Sequence, residues 1–272
     1  MSNHRLLTMC TTCGTQFSPG GTVPDLCPIC NDERQFIDLS GQSWTSSEAL
    51  QKGHTVKTSK INHRLHYLTI KPDFAIGQRA FFLLSPNGNI LWDCIPLLDE
   101  ATKAFIWEQG GLKAIAISHP HFYSNMNEWA EEFDCPIYIH ENDKPWIFNA
   151  GPHLKLWSSD EIILWDDIKL VHVGGHFPGS SMLYISGLSA GGTMLCGDSL
   201  YISRSLRHTA VMFSYPNSIP LLKKDFSAFY EKCSKLKFDT LHGATFEGQS
   251  LEGNAYEIFT DSMNHYKSIY GL

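Results

Sequence analysis

Four cysteines fall within the first 30 residues as two Cys-x-x-Cys pairs, Cys10-Thr-Thr-Cys13-Gly14 and Cys27-Pro-Ile-Cys30, with 13 residues between them. Each pair can present two thiolates from one tight turn, and Gly14 permits that turn. Two such turns make a closed S4 shell, the ligand set of a structural zinc site. Thiol redox chemistry is the competing reading, but a redox Cys-x-x-Cys opens a helix after a strand, and neither pair has that setting. Further along, His119-Pro120-His121 places two imidazoles at i and i+2 with a stiffening proline between them, so both can aim at one ion. His176 sits between Gly174-Gly175 and Pro178-Gly179, Asp198 follows Gly197, and His242 precedes Gly243. Histidine and carboxylate ligands with one open position hold a metal that lowers the pKa of bound water to about 7, supplying hydroxide at neutral pH.

These residues need elements to carry them. Tyr67–Ile70, 80–84 and Ile90–Trp92 read as strands, with Pro86-Asn87-Gly88-Asn89 as the turn between the last two. Residues 99–109 read as a helix stopped by Gly110-Gly111. Ala114–Ile117 is a wholly apolar strand of the kind covered on both faces, and it runs straight into His119. Met126, Trp129, Ala130 and Phe133 follow helical spacing behind Asn125, expected as the cap with Glu128 three residues on. Further strands are expected over 136–139, 164–173, 182–185 and 193–196, and helices over 223–236 and at the C-terminus through Phe259, Met263, Tyr266 and Tyr270. The class is α/β. Each candidate ligand lies just past a strand, and strand-end loops collect on one sheet edge, so the set can converge.

The 272 residues carry 21 Lys and Arg against 28 Asp and Glu, a net charge of −7, which argues against a general nucleic-acid or anionic-membrane binder. At 43% hydrophobic and 18% charged, the chain can bury a core, which excludes a disordered or fibrous polypeptide. Its apolar runs are far shorter than the roughly 20 residues of a membrane span. The first ten residues lack the apolar stretch of a secretory signal, so the expected compartment is the cytoplasm. Of the scattered Cys94, Cys135, Cys196 and Cys233, three sit in apolar or small-residue surroundings and read as buried thiols without chemistry.

The ordered set His119-x-His121, Gly-His176-x-Pro-Gly-Ser, Gly197-Asp198 and His242-Gly243 resembles the metallo-β-lactamase superfamily over roughly residues 55–245. The resemblance implies a four-layer αβ/βα sandwich with two sheets face to face. It places His119, His121 and His176 in a first metal site. Asp198 matches the acid that bridges two metals, and His242 the remaining second-site ligand. The family pattern is His-x-His-x-Asp-His, whereas the last two positions here are Tyr123 and Ser124, poor ligands for a second metal. One catalytic-site ion is therefore expected, Zn2+ or alternatively Fe2+. Asp198 and His242 are candidate catalytic groups, and Tyr123 is a candidate proton donor or a filler of the vacated space. Residues 1–40 resemble a zinc ribbon or rubredoxin-like knuckle, implying structural Zn2+ on Cys10, Cys13, Cys27 and Cys30, with iron as the alternative. Residues 41–272 form the second domain.

The segment from Ser199 to Pro220 follows a presumed ligand. It holds Arg204, Arg207, His208 and Tyr215, which can bind an organic anion or simply meet solvent. The leading expectation is a metal-dependent hydrolase of an ester, thioester, lactone or similar small substrate. Two alternatives stand beside it. One is a mononuclear iron oxidoreductase on two histidines and an aspartate. The other is a non-catalytic binding or regulatory module, its ribbon serving as a protein-interaction surface.

Overall fold

The computed structural model describes residues 8–17, 24–245 and 248–272. A small antiparallel sheet opens the chain: β1 (Thr8–Cys10) lies between β2 (Gln16–Phe17) and β3 (Trp44–Thr45). A short helix, α1 (Ser47–Gln51), follows, with Ser46 Oγ accepting from Ala49 N at its cap.

The first large sheet has seven strands in sequence order. They are β4 (Thr55–Lys60), β5 (Leu65–Lys71), β6 (Ala80–Leu83), β7 (Ile90–Trp92), β8 (Ala114–Ala116), β9 (Ile137–His140) and β10 (Leu154–Trp157). Pairing is antiparallel from β4 to β7 and parallel from β7 to β10. Two of the parallel connections carry helices, α2 (Glu100–Glu108) and α3 (Met126–Phe133), as crossovers require.

The second sheet begins with the meander β11 (Glu161–Trp165), β12 (Ile168–His172), β13 (Ser181–Ile185) and β14 (Thr193–Leu195). Two small hairpins then leave it, β15 (Tyr201–Ile202) with β16 (Thr209–Ala210), and β17 (Met212–Ser214) with β18 (Ile219–Pro220). After α4 (Lys223–Cys233) the chain returns as β19 (Thr240–His242), parallel to β14, and β20 (Ser250–Leu251), and it closes with α5 (Ala255–Tyr270).

Alternation along the strands builds the layers. Phe81, Leu83, Ile90, Trp92, Ala114 and Ala116 of the first sheet meet Ile168, Leu170, Leu183, Ile185 and Leu195 of the second in one buried cluster. The intervening residues Phe82, Leu91 and Ile115 face α2 and α3 instead, through Ile106, Met126 and Trp129. Val171, Met182, Met194 and Leu241 face α4 and α5, through Phe226, Phe229, Phe259 and Met263. The result is the αβ/βα sandwich, four layers deep. The cysteine knuckles join the α2–α3 side of the core through Met9, Phe17 and Ile29. No helix among the described residues is long and apolar enough to cross a membrane.

Two local expectations are corrected. The apolar run over 164–173 is two antiparallel strands, turned at Asp166 and Asp167, with Asp166 at φ 50°. Asn125 stands at the N-cap position of α3 but its side chain makes no capping hydrogen bond. Its Oδ1 accepts from Trp129 Nε1 at 3.0 Å and its Nδ2 donates to Glu128 Oε2 at 2.9 Å, so its side chain is already engaged. Glu128 Oε1 accepts from Gln16 and Ser47, tying α3 to the amino-terminal segment.

Asp99 caps α2 and anchors an edge strand at once. Its Oδ1 accepts from Thr102 N at 2.9 Å and its Oδ2 from Val56 N at 2.8 Å. Asp99→Ala is expected to cost about 1–2 kcal/mol, read as a lower urea midpoint, with Asp99→Asn recovering part of the loss.

Candidate functional site

Among the described residues two clusters of ligand-type side chains form, each with its ligand atoms within 4.8 Å of one another: Cys10, Cys13, Cys27 and Cys30, and His119, His121, His176 and Asp198. In the first, Cys10 and Cys30 Sγ are 3.7 Å apart, as are Cys13 and Cys27 Sγ. That is far beyond a disulfide bond of about 2.05 Å. It matches the edge of about 3.8 Å in a tetrahedron with metal–sulfur bonds of about 2.3 Å. Crowding couples the thiols: Cys10 is pushed down because the other three sulfurs hydrogen-bond its thiolate, while Cys13 and Cys30 are pushed up. Gly14 N donates to Cys10 O at 2.8 Å, closing the first knuckle at φ 79°. A Cβ there would meet the Pro96 ring at 2.6 Å. Gln42 ties the knuckles together, its Nε2 donating to Cys10 Sγ at 3.3 Å and its Oε1 accepting from Cys27 N at 3.0 Å.

The second cluster gathers at one edge of the two sheets. His119 and His121 follow β8, His121 within a 3-10 turn over Pro120–Phe122 that starts on the proline. His176 follows β12 across Gly174 and Gly175, both at positive φ, and Asp198 follows β14 across Gly197. A Cβ on Gly197 would lie 2.4 Å from Ser118 Oγ, so only glycine lets these two loops close on each other.

Hydrogen bonds turn the rings toward one point. Ser118 Oγ lies 2.8 Å from His119 Nδ1, leaving Nε2 aimed at Asp198 Oδ2, 3.3 Å away. His176 Nδ1 donates to Phe213 O at 2.9 Å, leaving Nε2 facing His121 Nδ1 at 3.4 Å. Tetrahedral bonds of about 2.0–2.1 Å have edges of about 3.3–3.4 Å, so the spacing suits an ion held by nitrogen and oxygen. His119 Nε2 is buried without a hydrogen-bond partner, as a ligand awaiting a cation would be. Burial, with the neighbouring rings, drives His121 well below its ordinary value and His176 to about 3. At neutral pH both present lone pairs. Burial would raise Asp198, but the facing His119 ring and the nearby His176 outweigh this and hold its carboxyl low.

The cluster opens into a cavity of about 660 Å3. His121, His176 and Asp198 reach it, and so does Tyr215, whose hydroxyl donates to Asp198 O at 2.9 Å. One wall comes from the amino-terminal segment: Thr11, Thr12, Gln35, Phe36, Asp38 and Ser43. The other candidates lie elsewhere. Arg204, Arg207 and His208 are exposed and outside the lining. Tyr123 is buried away from the cavity, and burial pushes its phenol well above the usual range. Ser124 points into the amino-terminal packing, accepting from Gln78 Nε2 at 3.1 Å and donating to Cys94 O at 3.2 Å. His242 is buried outside the lining with its Nδ1 2.7 Å from Ser250 Oγ. Burial, then the charge of Arg79, brings it to about 4.

Sequence reasoning passed over three residues. Asp93, just past β7, accepts from Ser118 N at 2.7 Å and supports the His119 loop, and burial raises it to about 8. An acid directly after Ile90-Leu91-Trp92 was its available signal. Arg34 and Gln42 carried no local signal, because their partners lie far along the chain.

Comparisons agree with this architecture. The profile of the metallo-beta-lactamase superfamily matches residues 76–243. An uncharacterized protein of Bacillus subtilis (strain 168), YmaE, is 38% identical over 239 residues, covering 87% of each chain. The same organism's probable metallo-hydrolase YqgX is 27% identical over 131 residues, 40% of this chain and 61% of that protein. Among solved structures, VMB-1 aligns with a TM-score of 0.56 at 10% identity over 79% of this chain and 98% of its own. DIM-1 metallo-beta-lactamase aligns at 0.55 and 11% identity over 78% and 95%. At such identities the structural likeness speaks for the fold.

Asp143 buttresses the loop that carries His176. Its carboxylate accepts from Gly179 N at 2.6 Å, and burial raises it to about 7. Unfolded, it titrates near 4, so the folded chain binds the extra proton between these values. The stability this gives is full below about pH 4 and is lost as pH rises through about 7. Asp143→Asn keeps the acceptor and carries no charge. Urea midpoints from pH 4 to 8 should show the variant gaining on the wild type as pH rises, with near equality at pH 4.

Proposed function

Because the chain belongs to the metallo-beta-lactamase superfamily, we propose that it is a metal-dependent hydrolase with one ion at the His119–His121–His176–Asp198 site, acting on a small ester, thioester or lactone. The observation that carries this reading is the convergence of three buried imidazoles and one carboxylate at the floor of an open cavity. When bound, the metal supplies a hydroxide nucleophile near neutral pH and polarises the carbonyl under attack. The chain's own groups set the stage. Ser118 Oγ beside Nδ1 orients the His119 ring, and the Phe213 carbonyl, accepting from Nδ1, holds His176 in the tautomer that leaves Nε2 free. Asp198, kept ionised, can orient a water and accept its proton. Tyr215 holds the Asp198 backbone in place through its hydroxyl. His242 and Tyr123 lie outside the cavity and take no step in this reading.

Support for a single ion comes from the second-site positions: Tyr123 and Ser124 replace ligands there, Ser124 bonding Gln78 and the Cys94 carbonyl and Tyr123 buried outside the cavity, and His242 stands outside the four-residue cluster. On the same reasoning, the four-cysteine cluster holds structural zinc, and the segment around it serves the cavity as a wall.

The lining also bears on the substrate. Among the described residues it presents hydroxyls, amides and the carboxylates of Asp38 and Asp198, with no Lys or Arg. Apart from the metal, nothing there neutralises an anion, so we favour an uncharged substrate over the organic anion that Arg204 and Arg207 would suit.

Elemental analysis of the full chain should find close to two metals, one per cluster, and identify each element. His176→Ala should lose one of them and lower kcat/KM for a neutral aryl ester by at least about 100-fold. A carboxylate-bearing analogue of that ester should be the poorer substrate for the wild type. Three metals, or silence across esters, thioesters and lactones with the metal-loaded chain, would overturn the reading.

A further inference from the structure

One side chain joins the cysteine knuckle to the histidine site. Arg34 sits four residues beyond Cys30, in a turn that grows out of the second knuckle, where Asn31 N donates to Cys27 O at 2.8 Å and Asp32 N to Ile29 O at 3.4 Å. Its Nε donates to the backbone carbonyl of His176 at 2.6 Å. Asp32 holds its Nη1 at 2.8 and 3.0 Å from the two carboxylate oxygens. The guanidinium lies over two rings, 4.4 Å from the centroid of Phe177 and 4.3 Å from that of Phe213.

Those two rings matter because of where they lie in the chain. Phe177 is the next residue after His176, and Phe213 supplies the carbonyl that fixes the His176 ring. On its other side His176 is preceded by two glycines at positive φ, which lend the backbone no stiffness. The ring's position therefore depends on restraints from beyond its own strand, and Arg34 touches two of the segments that supply them, at Phe177 and at Phe213. The turn is itself pinned: Ser214 Oγ donates to Arg34 O at 3.1 Å, and Asn217 Nδ2 donates to the carbonyls of Glu33 and Gln35 at 3.0 and 2.9 Å.

We propose that Arg34 is a positioning residue for His176, and that through it the four-cysteine knuckle controls how tightly the histidine site holds its metal. This rests on the metal-site reading above. The planar fork does what an ammonium cannot, bonding a carbonyl and a carboxylate at its edge while lying over aromatic rings. Freed of it, the His176 peptide and the Phe213 carbonyl lose their common brace, and the imidazole must then be ordered at the expense of metal affinity.

The test uses the full chain with cobalt(II). Thiolate-to-cobalt absorption reports the knuckle, cobalt bound in excess of the thiolate-ligated ion reports the histidine site, and chelator competition gives the affinity of each. Arg34→Ala and Arg34→Lys should each weaken the histidine site by about tenfold or more with the knuckle's bands intact, the range seen when a group orienting a metal ligand is removed. Cys27→Ser, which opens the knuckle, should weaken the histidine site as well. Wild-type affinity at the histidine site in a folded Arg34→Lys chain would overturn the proposal even if Arg34→Ala failed to fold. A wild-type chain showing thiolate bands alone would instead overturn the metal-site reading itself, and the proposal with it.

Discussion

Imidazoles can be packed against one another in a dry pocket only if they stay uncharged and their lone pairs have somewhere to point. Protonation would set like charges side by side in a medium that screens them poorly. His121 and His176 meet the first condition through burial. The second is met from outside the cluster. Ser118 engages the far nitrogen of His119, and a backbone carbonyl of the β17 hairpin engages that of His176, so the remaining nitrogens turn inward. Much of the surrounding structure serves to make those two hydrogen bonds possible.

The loops that make them are held by short-range fits between distant parts of the chain. Asp93 at the end of β7 secures Ser118 at the end of β8, and Gly197 at the end of β14 leaves the space that Ser118 fills. Three strand ends from two sheets thus share one small volume. The alternation of large and small side chains within the strands sets the sheets at the separation this needs, with Trp92, Phe81 and Leu195 in the layer between them.

The fold and the cluster were legible in the sequence to different depths. Strands such as Ala80–Leu83 and Ala114–Ala116 announced themselves as apolar runs, and the order of His119, His121, His176 and Asp198 after strand ends pointed to a shared edge. Such signals are local, or repeat along the chain. The run over 164–173 hid a turn because two acids, Asp166 and Asp167, are a weak break beside so many apolar neighbours. Asn125 had the right type for a cap but was drawn away by Trp129 and Glu128, a competition only the packed structure decides. The contribution of the amino-terminal segment was the least legible part. Its contacts with His176 span more than a hundred residues, and nothing in the spacing of Arg34 or Gln35 hints that they end beside the cavity.

That placement divides the molecule's work in an unexpected way. The cavity floor lies within residues 76–243, the stretch matched by the superfamily profile, whereas the facing wall from Gln35 to Ser43 lies before it. The ligand cluster and this part of the cavity wall thus come from separate stretches of chain. A graft that exchanges this part of the wall would be sound only if cut upstream of Arg34, so that the guanidinium bonded to the His176 carbonyl travels with the borrowed wall.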